Sequence, residues 1–252
     1  MSAAGSVLVE ACVDAIDAAI EAEQGGAARL ELCGELLQGG VTPSAGLIAA
    51  VWDRIDIPLF VLVRPRTGDF LYTDDELDVM RRDIEQMKAL GVDGVAFGAL
   101  TADGDVDVSR MQSLVELARP MSVTFHRAFD FVRRQDVALD ALLELGVDRV
   151  LTSGGAPTAL EGVSAIAELV RRVGDRMIVM AGGSITASNV GEIVAKTGVR
   201  EVHVRGAATV DSAMKHRRDI VSLSKVGASD YDRSATRADE IRRVVAGVSS
   251  RG

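Results

Sequence analysis

Short apolar runs alternate with amphipathic segments along the whole chain. Eight runs rich in Val, Ile, Leu and Phe predict buried strands, at 7–12, 28–33, 58–64, 94–98, 121–126, 148–153, 177–182 and 200–205. Between these runs the apolar residues recur every three or four positions, which predicts helices. Thr73 and Glu76 have the spacing of a capping box and predict the start of one such helix. The chain therefore consists of repeated strand–helix units.

The regularity of these units predicts how they assemble. Segments 26–34, 91–99, 146–154 and 198–206 share a plan of Gly, short turn, strand, and then Gly or Ala. Eight such units without a linker predict an α/β fold, a TIM (β/α)8 barrel, as a single domain over 1–252. A doubly wound sheet is the rival, but no G-x-G-x-x-G follows the first strand. We expect 206–235 to be a long loop or insert before the final helix.

Composition suits this fold and narrows the class of partner. The chain has 252 residues, of which 48% are hydrophobic and only 4% aromatic, so aliphatic side chains must build one large core. A net charge of −9 argues against a nucleic-acid or anionic-membrane partner, because no basic surplus is present to neutralise phosphates.

Location follows from three further features of the sequence. No apolar run approaches the ~20 residues that span a bilayer, so we expect no membrane segment. The N-terminus has no basic region followed by a long apolar stretch, so it does not predict a signal peptide. Two cysteines are too few for a disulfide framework. We therefore expect a cytoplasmic protein.

Polar residues alternate with apolar ones in several of the strands. Because successive side chains point to opposite faces, and the helix layer requires apolar ones, the polar members are expected inside the barrel. Active sites of barrels lie at the C-terminal ends of the strands. Burying many ionisable groups there costs several kcal/mol each unless they are paired, as a rough estimate, which favours a binding or active site. The expected mouth residues are Glu10, Glu31, Arg64, His126 and His203, with Cys12 and Cys33 on neighbouring strands.

Three chemistries are open for this set. Two carboxylates and two imidazoles can hold a divalent cation such as Zn²⁺ or Mn²⁺. An enzyme acting on a small anionic or phosphorylated metabolite can use acid–base catalysis with an arginine clamp. The candidates are Glu10, Glu31, His126 and His203 for catalysis and Arg64 and Arg66 for the anion. Finally, Cys12 and Cys33 can bind Cu(I), although both can equally be small buried hydrophobes.

Glycine-rich turns follow three of the later strands. Gly182 and Gly183 follow the seventh strand, Arg205 lies at the end of the eighth, and Ser153 and Gly154 follow the sixth. Backbone N–H groups in these loops bind phosphate in many barrels, so the five residues are candidate anion ligands. The alternative is that the glycines only serve tight turns that need positive φ.

The motif VTFHRAFD ends the fifth strand with an abrupt change of chemistry. By alternation His126 faces the interior together with Thr124. Arg127 is then predicted to face the helix layer, where Asp130 lies three residues on and can pair with it. We interpret Arg127 and Asp130 as a structural pair.

The chain contains several long motifs in a fixed order, EACVDAIDAAIEAEQGGAARLELCGELLQGG, VLVRPRTGDFLYTDDE, VTFHRAFD, RVLTSGG and VMAGGSIT. Together these motifs resemble those of the CutC family, whose members are often called copper homeostasis proteins. The resemblance runs from about residue 7 to at least 203. It implies a cytoplasmic TIM barrel with a role ascribed to copper handling and a homo-oligomer, a dimer or tetramer.

Individual residues of this chain match the family pattern. Cys12 and Cys33 match the positions proposed as copper ligands in animal members, which implies copper as the bound ion. Two departures stand out, because Thr67 replaces a usual Gly and Val204-Arg205 replaces a small or hydroxyl-bearing pair. The other matching residues are Glu10, Glu31, Arg64, Arg66, Asp69, His126, Arg127, Asp130, Ser153, Gly154, Gly182, Gly183 and His203.

Overall fold

Eight parallel strands close into a barrel in chain order, with the first strand paired to the eighth. This computed structural model describes residues 7–218, 220–221 and 229–249. The predicted TIM barrel is confirmed, and every predicted run overlaps a strand. The strands are β1 Leu8–Val13, β2 Arg29–Leu32, β3 Leu59–Leu62, β4 Gly94–Phe97, β5 Ser122–Phe125, β6 Arg149–Thr152, β7 Ile178–Gly182 and β8 Glu201–Val204.

Helices connect the strands and cover the outside of the barrel. The capping box at Thr73 is present, because its hydroxyl accepts a hydrogen bond from the Glu76 N–H while the Glu76 carboxylate accepts one from the Thr73 N–H. Within the described ranges, no helix has both the length and the apolar character needed to cross a bilayer. The helices are α1 Ile16–Gln24, α2 Ala45–Trp52, α3 Asp74–Leu90, α4 Val108–Ala118, α5 Gln135–Glu144, α6 Val163–Val173, α7 Val190–Thr197 and α8 Ala238–Ser249.

The stretch 206–235 contains structure that the sequence did not predict. Strands β9 (Ala207–Asp211) and β10 (Asp232–Thr236) pair antiparallel as a two-stranded sheet outside the barrel. Positions 219 and 222–228 of this stretch lie outside the described residues. After β10 the chain returns to the barrel, where the Ala238 N–H at the start of α8 donates to the Glu21 carboxylate.

A network of buried charges crosses the barrel interior below the mouth. The Arg29 guanidinium contacts both Glu10 and Glu201, and Nε of Arg149 lies 2.6 Å from Oε2 of Glu201. The two arginines lie 4.8 and 5.2 Å from the ring centre of Phe60. Two cations and two carboxylates therefore balance one another, and the network links β1, β2, β6 and β8.

One glycine makes room for the aromatic ring at the centre of this network. A Cβ atom on Gly94 would lie 2.5 Å from the Phe60 ring, closer than any ordinary contact. The absence of a side chain on β4 thus lets Phe60 fill the interior between two arginines.

Candidate functional site

Two cysteine thiols meet inside the barrel near its mouth. Cys12 lies in β1 and Cys33 directly follows β2, and their sulfur atoms are 3.5 Å apart. Both sulfurs also lie close to Oε2 of Glu31, at 3.5 Å for Cys12 and 3.4 Å for Cys33. Both cysteines are reduced and buried. We call Cys12, Glu31, Cys33 and His203 the thiol cluster.

His203 completes the cluster from β8. Its Nδ1 lies 2.7 Å from Oε1 of Glu10, and its Nε2 lies 3.8 Å from Oε2 of Glu31. A carboxylate that holds one ring nitrogen while the other faces potential ligands is the usual support of a metal-binding histidine. Ligand atoms lie within 4.8 Å of one another in two overlapping groups, Cys12–Glu31–Cys33 and Glu10–Glu31–His203.

Charges in and below the cluster are strongly coupled. Burial opposes ionisation of Glu10, but the hydrogen bond with His203 and the Arg29 charge lower its pKa to about 2. Burial likewise opposes a charge on His203, but Glu31, Cys12 and Glu10 together raise its pKa well above the usual value. Glu10 is thus an anion and His203 a cation, and they form an ion pair.

The remaining cluster residues differ in their tendency to ionise. The hydrogen bond from Cys33 lowers the pKa of Cys12 to about 5, against the effect of burial and with further help from His203. Burial raises the pKa of Glu31 to about 8 and raises that of Cys33 well above its usual value. The two cysteines therefore differ, because Cys12 ionises readily while Cys33 stays a neutral thiol.

A cavity of about 280 Å³ opens above the thiol cluster. Apolar side chains form much of its wall, and three arginines reach it from the loops after β3, β5 and β8. The cavity is lined by the thiol cluster, by Leu36, Leu62, Phe70, Leu151, Ile185 and Val204, by Arg64, Arg127 and Arg205, and by Gly39, His126, Gly183 and Ser184.

Arg64 is buried in the cavity wall and is held by backbone carbonyls. Its terminal nitrogens donate to the carbonyl oxygens of Gly39, Gly40 and Gly68 at 3.2, 2.8 and 2.6 Å. Its Nε has no hydrogen-bond partner among the described residues. The guanidinium lies 5.0 Å from the ring centre of Phe70. Because carbonyls are neutral, these contacts hold the cation in place without balancing its charge.

His126 also packs against Phe70, with the centres of the two rings 4.9 Å apart. Its Nδ1 accepts a hydrogen bond from the Ala128 N–H, which places the proton of the neutral ring on Nε2. Burial, and then the nearby Arg64 charge, lower the pKa of His126 to about 3. The imidazole is therefore neutral near pH 7, and its Nε2 has no partner in the described part of the chain.

Arg127 and Asp130 form the predicted ion pair, with Nε and Oδ2 2.7 Å apart. The predicted position of Arg127 against the helix layer is wrong, because its side chain lines the cavity and donates to the Ser153 hydroxyl at 2.8 Å. The strand alternation ends early, since a 3-10 helix at Arg127–Phe131 begins directly after His126. The pair is therefore part of the mouth.

Asp130 also binds the backbone N–H groups of the loop after β6. Its carboxylate accepts from the N–H groups of Ser153 and Gly155, each at 3.0 Å for Oδ1. The Gly154 N–H donates to the Thr152 hydroxyl at 2.8 Å. These three N–H groups are thus bonded within the protein, so in this structure they are not free to bind a phosphate.

Other candidate residues fall at different distances from the cavity. Arg66 is not brought to it, because its guanidinium pairs with Asp69 and Glu76 on the surface. Gly182 is close by, where a Cβ atom would lie 3.3 Å from that of His203. Arg205 lines the cavity, and its Nη2 is buried with no partner within the described ranges.

Two features of this region were missed by the sequence analysis. Arg149, which balances Glu201, belongs to the alternating strand β6, so the same inside–outside pattern identifies it. Phe70 packs against both Arg64 and His126 but comes from an irregular loop, where no periodicity marks a residue as buried.

The donor atoms of the thiol cluster select a class of metal ion. Thiolates favour soft or borderline ions such as Cu(I) and Zn²⁺, while hard ions such as Mg²⁺ and Mn²⁺ prefer sites built from oxygen. Cys12 and Cys33 suit Cu(I), and the nearby His203 and Glu31 offer nitrogen and oxygen as further ligands. The residues present therefore fit a copper ion.

Comparisons with known proteins agree on one family. A sequence model of the CutC family matches residues 7–208. The copper homeostasis protein cutC homolog of Mus musculus is 46% identical over 241 residues, covering 95% of this chain and 89% of the mouse protein. The Homo sapiens protein of the same description is 45% identical over 241 residues, covering 95% and 88%. A Streptococcus agalactiae crystal structure designated copper homeostasis protein CutC is 32% identical, with a TM-score of 0.75, covering 79% of this chain and 98% of that one.

Proposed function

The chain belongs to the CutC family, and on that premise we propose that it acts in copper homeostasis in the cytoplasm, binding Cu(I) through Cys12 and Cys33. The observation that carries this proposal is the separation of 3.5 Å between the two sulfur atoms on adjacent strands. Two soft donors at one point suit Cu(I), which is satisfied by few ligands.

The ionisation of Cys12 supports binding without a large cost for deprotonation. The thiolate is the form that binds metals, and the lowered pKa of Cys12, about 5, supplies it near pH 7. Binding of the cation would then release the proton of Cys33, since that thiol is neutral beforehand. In this proposal Glu31 and His203 are additional ligands from the same cluster, and each would release its proton on ligating the ion, because both are protonated beforehand.

Competition with a Cu(I) chelator under anaerobic conditions tests this proposal. We expect replacement of both cysteines, Cys12→Ser with Cys33→Ser, to weaken Cu(I) binding by at least about a hundredfold, since no soft ligand then remains in the cluster. His126→Asn is the matched control, because it alters the same cavity but not the cluster, and we expect its affinity to match wild type. Equal affinity in the double variant and wild type would refute the role of the thiols.

We propose a second function because of a separate observation, the uncompensated cations in the cavity wall. Arg64 and Arg205 form no ion pair among the described residues, although both line the cavity. A copper carrier has no need of these groups, whereas an enzyme acting on a small anionic metabolite does. In this role Glu31, whose pKa near 8 keeps it protonated, serves as a proton donor.

A metabolite panel tests the second function. Wild-type protein is incubated with a panel of small carboxylates and phosphate esters, and products are followed by mass spectrometry. We expect a product that disappears with Glu31→Gln and persists with Glu192→Gln, which makes the same change at an exposed carboxylate outside the cavity lining. The second function fails if wild type and Glu31→Gln convert the panel equally.

A further inference from the structure

We propose that the cavity above the thiol cluster binds the carboxylate group of a small organic acid, through Arg64, His126 and Arg205. This inference deepens the second proposed function by naming its ligand class, and it rests on that function only for any reaction after binding. It is independent of copper, because none of the three residues belongs to the thiol cluster.

Positive charge in the cavity wall is the first ground for an anionic ligand. Arg127 is neutralised by Asp130, and His203 is paired with Glu10. Arg64, in contrast, meets only carbonyl oxygens, so its charge is buried beside Phe70 with no acid in contact in the described part of the chain. A buried charge without a partner is costly, and an anion bound in the cavity removes that cost.

Arg205 adds a second cation of the same kind. It forms no ion pair within the described ranges, and its Nη2 has no hydrogen-bond partner there. Its charge acts to lower the pKa of Asp14, but no hydrogen bond joins the two side chains. Arg205 reaches the cavity from the end of β8, whereas Arg64 follows β3, three strands away around the barrel. An anion in the cavity is therefore attracted by both arginines.

Unsatisfied donors are the second ground. Among the described residues, four buried side-chain N or O atoms lack a hydrogen-bond partner. Three of them belong to residues that line this one cavity, namely Arg64, His126 and Arg205. Buried polar groups are nearly always bonded, so such a concentration at one place needs a physical reason. A ligand that accepts hydrogen bonds provides it.

The state of His126 makes it a donor and not a base. Its Nδ1 already accepts from the Ala128 N–H, so the ring proton is on Nε2. The Arg64 guanidinium and the His126 ring both pack against Phe70, at 5.0 and 4.9 Å from its ring centre. Nε of Arg64 and Nε2 of His126 are thus two N–H donors in one part of the cavity wall, and a carboxylate has the acceptor oxygens for such donors.

A carboxylate fits the surroundings better than a phosphate does. The N–H groups of Ser153, Gly154 and Gly155, in the loop predicted to bind phosphate, are already bonded to Asp130 and Thr152. Much of the remaining wall is apolar, with Leu36, Leu62, Leu151, Ile185 and Val204 among the lining residues. The preferred ligand is thus a short organic acid with an apolar body and one carboxylate at the arginines.

Isovalerate, a small branched monocarboxylate, is the probe for this inference. Its binding to the copper-free protein is measured by calorimetry and by ligand-observed NMR, beside isoamyl alcohol and inorganic phosphate. We expect saturable binding of isovalerate that is at least about tenfold tighter than that of either comparison compound, because only isovalerate combines the charge with the apolar body. Equal binding of isovalerate and the alcohol would overturn the charge argument, and tighter binding of phosphate would overturn the ligand class.

Variants locate the binding site. We expect Arg64→Met and Arg205→Met each to weaken isovalerate binding by at least about tenfold, as expected when a charged hydrogen bond is lost. His126→Asn keeps an acceptor for the Ala128 N–H but removes the Nε2 donor, and we expect a smaller loss. Arg200→Met is the matched control, because it makes the same change at an exposed arginine that does not line the cavity, and it should bind as wild type.

Two further results separate this inference from the proposed functions. A thermal unfolding curve shows whether Arg64→Met folds. If it does not, the binding of isovalerate to Arg205→Met and His126→Asn still decides whether the site exists. Wild-type affinity in both would overturn the site. The double variant Cys12→Ser with Cys33→Ser should keep isovalerate binding, so loss of copper and loss of the anion are distinguishable. A protein that binds isovalerate without converting any acid refutes only the second function.

Discussion

At the scale of single residues, identical side chains behave differently because their surroundings differ. Cys12 and Cys33 share one cluster, yet their pKa values shift in opposite directions. The hydrogen bond from Cys33 lowers the pKa of Cys12, whereas burial and that same hydrogen bond raise the pKa of Cys33. His126 and His203 both face the interior, but His126 has the Arg64 cation as its neighbour while His203 has carboxylates. Sequence identified all four residues as inward-facing and could not assign their charges, which depend on contacts between distant strands.

Thiolate absorbance in the ultraviolet tests the state of Cys12. In wild type we expect one thiol to ionise with a midpoint near pH 5, because the hydrogen bond from Cys33 stabilises the thiolate. In Cys33→Ala that bond is lost, so the midpoint should move upward. In Cys12→Ala, which retains only Cys33, no thiol should ionise below its usual range. A low midpoint that survives Cys33→Ala would contradict this assignment.

The neutral state of His126 predicts a pH dependence of stability. Its pKa is about 3 in the folded protein and higher when unfolded, so between the two values the unfolded chain binds more protons. The contribution of His126 to the free energy of unfolding is fully present above the pKa of the unfolded state. It is lost as pH falls towards the folded pKa, at up to about 1.4 kcal/mol per pH unit. Relative to wild type, urea unfolding of His126→Asn should thus show a shallower decline from about pH 6.5 to 4.5. If the unfolding free energies of the two proteins declined in parallel over this pH range, the assignment of a neutral His126 would be wrong.

At the scale of elements, the barrel strands bring residues from distant parts of the chain into one buried network. Glu10, Arg29, Arg149 and Glu201 come from four strands, and their charges balance only when the barrel is closed. The eight strands were predictable because apolar runs and period-two alternation survive in each of them. The helix after His126 and the position of Arg127 were not, because a short 3-10 helix has no periodic signal.

Removing one carboxylate from this network should be costly. Glu201→Gln leaves Arg29 and Arg149 with one acid between them, and we expect a loss of about 3–5 kcal/mol in unfolding free energy. The control is Asp175→Asn, which breaks the exposed ion pair with Arg200 on the surface. Chemical denaturation should show a lowered midpoint for the first variant and an unchanged one for the second. Equal midpoints would mean that the buried charges do not stabilise the closed barrel.

At the scale of the whole molecule, the barrel provides a closed frame with its chemistry at one end. Its family and fold were both predictable from sequence, because long motifs and eight regular units carry that information. The added sheet of β9 and β10 was not, since a short strand such as Ala207–Asp211 contains no buried residue and no long apolar run. The cavity was predictable only as a ring of polar residues, because its apolar wall comes partly from loops.

A homo-oligomer, a dimer or tetramer, stays a prediction at this scale. The chain has a mass of 26.6 kDa, so light scattering coupled to size exclusion separates the possibilities directly. We expect two or four times that mass at every concentration tested. The mass of a single chain throughout would contradict the prediction.

X-ray absorption at the copper edge shows directly whether the two thiols of the barrel mouth bind Cu(I). The wild-type protein is loaded with Cu(I) under anaerobic conditions, and the atoms around the metal are identified from the fine structure. We predict sulfur in the first coordination shell for wild type and for His126→Asn, and its loss in Cys12→Ser with Cys33→Ser. A shell of nitrogen and oxygen alone in wild type, unchanged by the double substitution, would contradict the account.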